Sequence, residues 1–151
     1  METTESIFMT KVNVYLIFDG NCEEAFNFYK AAFGKDFQMI SRFKEMPPQD
    51  GQPGVSPEDA EKIMHVSLPI DGDSVLMGSD GGSNWSEHHK PGNNFNVSVS
   101  VDTREEADRL FTVLSEGGKT IMPMSDTFWG EYFGMFTDKF EVNWMIGSRE
   151  E

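Results

Sequence analysis

Residues 13–19 read N-V-Y-L-I-F-D, and residues 96–102 read N-V-S-V-S-V-D. Each segment closes on an aspartate. Each is soon followed by the triplet E-E-A, at Glu23, Glu24 and Ala25 and again at Glu105, Glu106 and Ala107. Each triplet runs into a stretch of helical periodicity that stops at glycine. Matches in the same order identify an internal repeat, so the chain reads as two similar halves. In the second copy Val97, Val99 and Val101 alternate with Asn96, Ser98 and Ser100, the two-residue period of a strand with one apolar face. The valines are expected to pack on helix and the small polar residues to look into solvent or a cavity. Carried to the first copy, this places Val14, Leu16 and Phe18 against helix and Asn13, Tyr15 and Ile17 on the other side.

Working outward, Cys22, Ala25, Phe28, Tyr29, Ala32 and Phe33 follow the i, i+3, i+4, i+7 pattern of one helix face. Asn21 and Glu24 have capping-box spacing, and Gly34 supplies a stop. In the second half Ala107, Leu110, Phe111 and Leu114 share a face, Thr103 and Glu106 form the box, and Gly117–Gly118 ends the helix. Strands are expected after the first helix at 36–46, 62–70 and 73–79, the last two joined by a tight turn at Asp71–Gly72. After the second helix they are expected at 119–125, 131–137 and 142–147, with Asp138 to Glu141 as the final turn. The fold class is therefore α+β. A single domain over 1–151 holds two βαβββ modules, at about 11–80 and about 95–148. Two Pro/Gly-rich loops, 47–59 and 80–95, are expected to be mobile and to border a site.

Composition excludes several partners. The chain of 151 residues carries 26 acidic against 12 basic side chains, a net charge of −14 that repels phosphate backbones and anionic lipid. No nucleic acid and no membrane partner is expected, and the charge itself names no substrate. Every apolar run falls short of the roughly 20 residues a membrane span needs. The N-terminal METTESIFMT lacks the basic and apolar regions of a signal peptide. The one cysteine, Cys22, cannot form an internal disulfide, which points to a reducing, cytoplasmic setting.

Several local motifs join the repeat: Y-L-I-F-D-G-N-C-E-E-A at 15–25, F-Y-K at 28–30, F-K-E-M-P at 43–47 and His65 ahead of the strand turn. Later come T-F-W at 127–129, F-G-M-F-T-D-K-F at 133–140 and W-M-I at 144–146. From about residue 11 to 148 the chain resembles the vicinal oxygen chelate superfamily of glyoxalase I, extradiol dioxygenases and bleomycin-resistance proteins, and in particular its PhnB-like branch. The resemblance implies a glyoxalase-like, curved mixed sheet that forms a cup. It also implies a homodimer, which open sheet edges and an apolar concave face independently favour. In metal-using members, ligands come from cup-facing strands: histidines at the starts of the strands before the two helices, and a carboxylate near the end of the last strand. Asn13, Asn96 and Met145 fall at those places here. Carboxamide and thioether suit Zn²⁺ or Fe²⁺ poorly, so no catalytic metal and no cofactor are expected. The resemblance further implies glycine where Glu141 stands. A non-glycine residue at positive φ costs about 1 kcal/mol or more, so an altered turn is expected there.

The candidate site follows from these placements. His65, in the apolar strand I-M-H-V-S-L, is either a satisfied core residue or a cup residue able to act as acid, base or hydrogen-bond partner. Tyr15, Phe43, Met77, Trp129, Phe133 and Trp144 come from strands or strand edges that should border the cup, and Ser98 is the repeat partner of Tyr15. Singly each fits a core. Together they describe a cavity of apolar rings with a few polar groups, the usual make-up of a small-molecule pocket. His88 and His89 are expected at the surface, and Cys22 as a buried structural thiol. No loop suited to phosphate or S-adenosylmethionine is present, so methyl transfer is not expected. The sequence thus points to binding of a small, aromatic or apolar molecule in a metal-free cup, by an enzyme of unassigned reaction or a sequestering protein. The alternatives are a metal-dependent lyase, isomerase or dioxygenase with an atypical ligand set, and an interaction protein whose cavity is filled by its own side chains.

Overall fold

The alternation at both copies of the repeat becomes strand, and the periodicity after each becomes helix. The computed structural model describes residues 10–47, 54–83 and 85–151. Its first half runs β1 (Val14–Phe18), α1 (Cys22–Phe33), β2 (Met39–Arg42), β3 (Ile63–Pro69) and β4 (Val75–Asp80). The second half runs β5 (Val97–Val101), α2 (Arg104–Ser115), β6 (Lys119–Asp126), β7 (Tyr132–Thr137) and β8 (Asn143–Ser148). Single 3₁₀ turns occupy Phe43–Glu45 and Ser86–His88. Each half builds its own four-stranded mixed sheet, ordered β1-β4-β3-β2 and β5-β8-β7-β6. In each the first and last strands pair in parallel and the others antiparallel. The expected pair of βαβββ modules is present, as two sheets rather than one continuous sheet.

Burial divides the faces as the repeat requires. Leu16, Phe18 and Val97 are buried, whereas Tyr15, Ile17, Ser98 and Ser100 are exposed. Helix α1 buries Cys22, Ala25, Phe26, Tyr29 and Ala32. Its central ring is Phe26 rather than the expected Phe28. Phe26 lies over Gly78, where a β-carbon would come within 2.6 Å of the ring. Phe28 is only half-buried and packs on Phe140 of the other half, with ring centroids 5.7 Å apart.

The helix starts correct two readings. Thr103 caps α2, its Oγ1 accepting from the Glu106 amide at 3.1 Å, but the Glu106 carboxylate turns to Arg109 instead of back to the cap. Asn21 makes no side-chain cap on α1. Asp80, at the end of β4, replaces it: Oδ1 accepts from the Gly20 and Cys22 amides at 2.8 and 3.0 Å, and Oδ2 from the Ile63 amide at 2.9 Å. A carboxylate only 3% exposed is tolerable because charged hydrogen bonds replace its water, and it faces the positive end of a helix. The β3–β4 connection is also wider than expected. The Ile70 amide donates to the Ser74 carbonyl at 2.8 Å, and Gly72 takes φ +57° within the loop.

A second buried aspartate joins the halves. Asp138, 3% exposed in the β7–β8 turn, accepts on Oδ2 from Tyr29 Oη at 2.6 Å and Trp144 Nε1 at 2.9 Å. Its Oδ1 accepts from the Phe140 and Val142 amides at 2.8 and 3.0 Å. Tyr29 belongs to the first half and Trp144 to the second, their ring centroids 5.3 Å apart. Burial, and then the Asp138 carboxylate, push the Tyr29 phenol well above its ordinary pKa, so it stays a neutral donor. The same carboxylate holds the turn in which Glu141 sits at φ +70°. The altered turn expected there is not found; the strained conformation is kept because Asp138 fixes the amides on either side of it. Arg109 adds a bond from α2 to the Ala32 carbonyl at the end of α1, at 2.9 Å.

Removal of one donor and removal of the acceptor should therefore differ. Tyr29→Phe deletes one hydrogen bond to a charged group and should cost about 1.5–3 kcal/mol. Asp138→Ala strands two buried side-chain donors as well as the turn amides and should cost more, about 3–5 kcal/mol, by analogy with a broken buried ion pair. Urea unfolding of the variants at neutral pH measures both. An Asp138→Ala loss within 1 kcal/mol of zero would show that the carboxylate does not hold the halves together.

Candidate functional site

Each sheet has one face covered by helix and one left open. On the first sheet, strand register sets Tyr15 beside Met77, Met77 beside Ser67, and Ser67 beside Met39. The neighbouring positions pair Ile17 with Ser79 and His65 with Ser41. Tyr15 Oη lies 3.3 Å from His65 Nδ1, with ring centroids 5.7 Å apart and planes at 34°. Tyr15 is 44% exposed and His65 half-buried, so the pair stands on the accessible side of the sheet. Ser41, Ser67 and Ser79 are buried nearby, and Ser41 Oγ has no partner among the described residues. A phenol, an imidazole and hydroxyls on one face can donate, accept and pass protons. Along the edge of β1 a cleft of about 590 Å³ is lined by Tyr15, Ile17, Trp85, His89, Phe95 and Asn143, among others.

The open face of the second sheet has a different character. Ser98, Met145, Met135 and Met122 form one cross-strand row, and Ser100, Gly147, Phe133 and Ser125 the next. Trp129, in the β6–β7 turn and 46% exposed, sets its ring centroid 5.9 Å from that of Phe133 and donates Nε1–H to Glu131 at 3.1 Å.

The residues read from sequence are thus divided. Tyr15, His65 and Met77 meet on the first open face; Ser98, Phe133 and Trp129 lie on or beside the second. Phe43 occupies the 3₁₀ turn just after β2, half-buried. Trp144 must be corrected: it is fully buried on the helix-covered face, between Tyr29, Phe33 and Phe136, its N–H spent on Asp138. The period of two explains it, since Trp144 neighbours Met145 and so points the other way. His88 is exposed, whereas His89 lines the cleft. Cys22 is fully buried, and burial followed by the Asp80 carboxylate raises its thiol pKa, which leaves no usable nucleophile. Of loop 47–59, residues 48–53 lie outside the described residues; Asp59, at its end, accepts from the Ser83 amide and hydroxyl of the second loop. Sequence reasoning missed Ser41, Ser67, Ser79 and the cleft residues Trp85, Phe95 and Asn143. The serines carried a signal: each interrupts an apolar strand at the parity of Tyr15 or His65.

The donor set does not fit a borderline divalent metal. The central parallel pairs supply phenol beside thioether, Tyr15 with Met77, and hydroxyl beside thioether, Ser98 with Met145. Asn13 and Asn96 add only carboxamides just ahead of the strands. Among the described residues, no three His, Cys, Asp or Glu side chains gather as a metal cluster. No described helix is long and apolar enough to cross a membrane.

Duplicated βαβββ modules with open faces define a class, and comparison places the chain in it. Residues 11–146 match the family model of the Glyoxalase/Bleomycin resistance protein/Dioxygenase superfamily, and the chain belongs to that superfamily. It is similar to Protein YjdN of Escherichia coli, 32% identical over 139 residues that cover 87% of this chain and 90% of YjdN. The crystal structure of protein PA1353 from Pseudomonas aeruginosa is 36% identical with a TM-score of 0.77, covering 95% of this chain and 100% of that one. The PhnB protein from Bacillus cereus is 28% identical with a TM-score of 0.69, over 91% and 98% of the two chains. These neighbours make the chain a member of a PhnB-like branch.

Untagged protein should accordingly purify with far less than one equivalent of Zn²⁺, Ni²⁺, Fe²⁺ or Mn²⁺ by elemental analysis. About one ion per chain, lost in Asn13→Ala or Asn96→Ala, would reverse the reading of the donor set.

Proposed function

We propose that this chain binds a small molecule with an aromatic or apolar body on the open face of the first sheet, without a metal, and that Tyr15 and His65 orient it. The observation that carries the reading is the exposed phenol–imidazole pair, 3.3 Å apart on a sheet whose other face is core. A structural pair would be expected inside, where its hydrogen bond excludes water. Here both rings remain accessible, offering surfaces to stack on and polar atoms to direct a ligand. Met77 adds a polarizable wall beside Tyr15, and the cleft along β1, of which Tyr15 is the shared wall, adjoins the pair. The imidazole equips the site for proton transfer, so the reading embraces an enzyme as well as a sequestering protein.

A thermal-shift screen of small aromatic and apolar metabolites should raise the melting temperature of the wild type. Tyr15→Ala and His65→Ala should fold normally and lose about 0.5–1.5 kcal/mol of binding, roughly two- to tenfold in affinity. If both variants are heavily destabilised and no compound stabilises the wild type, the pair is structural and the reading falls.

We extend the proposal to a homodimer. Ile121 and Met122 on edge strand β6, with Phe128 and Trp129 at its tip, leave large apolar groups exposed on a strongly acidic chain. Unpaired edges and apolar surface of this kind are normally covered. Light scattering at micromolar concentration and moderate salt should give twice the chain mass of 17.1 kDa; a single-chain mass would count against pairing.

A further inference from the structure

One carboxylate on the second open face is not used by the Tyr15–His65 reading. Glu131, the residue before β7, is held at both its backbone and its side chain. Its amide donates to Thr127 Oγ1 at 3.2 Å, and its carbonyl accepts from the Thr127 amide and hydroxyl at 3.0 and 2.6 Å. Its Oε1 accepts the Trp129 Nε1–H at 3.1 Å. The carboxyl group then lies over Gly147 of β8, its carbon 2.8 Å from where a β-carbon would stand. Register sets Gly147 between Ser100 of β5 and Phe133 of β7, with Met145 two residues back on the same face. A glycine inside a strand often marks the close approach of another group, and here that group is a charge. Oε2 accepts from nothing among the described residues and, unlike Ser41 Oγ and Trp85 Nε1, it is not sealed from solvent.

We propose that Glu131, with Ser100 and Phe133 beside it, recognises an organic ammonium ion that carries an apolar or aromatic body. The open oxygen of the carboxylate accepts one N–H of the cation, and the exposed Ser100 hydroxyl offers a second acceptor on the neighbouring strand. Phe133 and Met145, both half-buried, supply surface for the carbon body. A metal ion would need more ligands than this one carboxylate, and among the described residues no His, Cys, Asp or Glu cluster provides them. An anion is repelled by Glu131 itself and by the net charge of −14. Because Thr127 and Trp129 already hold the carboxylate in place, little side-chain freedom is lost on binding. Trp129 is a positioning residue here and does not meet the ligand. The carboxylate stands over β8, two strands in from β6, so a partner chain on the β6 edge can cover Met122 and Trp129 without occupying its place.

The test titrates the protein with phenethylammonium chloride and follows the tryptophan indole N–H resonances by NMR. Of the three tryptophans, Trp129 carries the N–H bonded to Glu131, so its resonance should shift and saturate. The neutral analogue 2-phenylethanol should bind about fivefold more weakly, the upper range for a single exposed ion pair. Glu131→Gln keeps an acceptor for Trp129 but removes the charge, and should weaken phenethylammonium by a similar factor. Gly147→Ala keeps the charge but puts a methyl where the carboxyl group lies, and should weaken it likewise. Glu105→Gln, an exposed carboxylate on α2, removes the same net charge and should leave the affinity unchanged. The proposal is overturned if the Trp129 resonance does not respond. It is equally overturned if 2-phenylethanol binds as tightly as phenethylammonium, or if Glu131→Gln or Gly147→Ala binds the cation as tightly as the wild type. The readout is local to the second sheet, so it stands apart from any ligand held by Tyr15 and His65.

Discussion

The Asp138 carboxylate is the constraint on which the arrangement of the halves depends. It is buried, yet each of its oxygens has two donors, drawn from the first module, the second module and its own turn. Burying an ion is costly unless hydrogen bonds replace its hydration, and here they do. The result fixes where α1 sits against β8, and with it which sheet faces are covered and which stay open. The strain at Glu141 belongs to the same device. A turn held at both ends by one carboxylate can keep a non-glycine residue at positive φ, where a freer loop would relax.

Asp80 plays the corresponding part within the first module. It ties β4 to the start of α1 and to the first residue of β3, so the strand that pairs with β1 also terminates the loop leading into the helix. Its repeat counterpart is Ser148, likewise buried at the end of the last strand. The halves have therefore kept a fold while exchanging their polar anchors. The capping duty that Asp80 performs in one half falls to Thr103 in the other.

What could be read from the sequence was whatever depends on local period. The valine–serine alternation of β5 assigned faces in both halves, and it put Tyr15 and Ser98 on open surface as found. What could not be read were contacts made across long sequence separations. Asn21 and Glu24 have the spacing of a cap, but a carboxylate 58 residues away from Cys22 takes the role. Trp144 was drawn toward the cup by its chemistry, although the parity of β8 sends it to the core. His65 was undecided because an apolar strand fits both readings; only the register of β3 against β2 and its distance from Tyr15 place it. Whether the two open faces serve one ligand is a question of assembly, which local pattern does not encode.

The buried thiol of Cys22 has a consequence for how the compartment of this protein is argued. A lone cysteine suggests a reducing environment because an accessible thiol would otherwise be oxidised or cross-linked. This one is sealed beneath α1 and held protonated by burial and by Asp80. It offers no thiolate to peroxide or glutathione. The single thiol of the folded chain is therefore shielded from oxidants, and it carries no information about where in a cell the protein works.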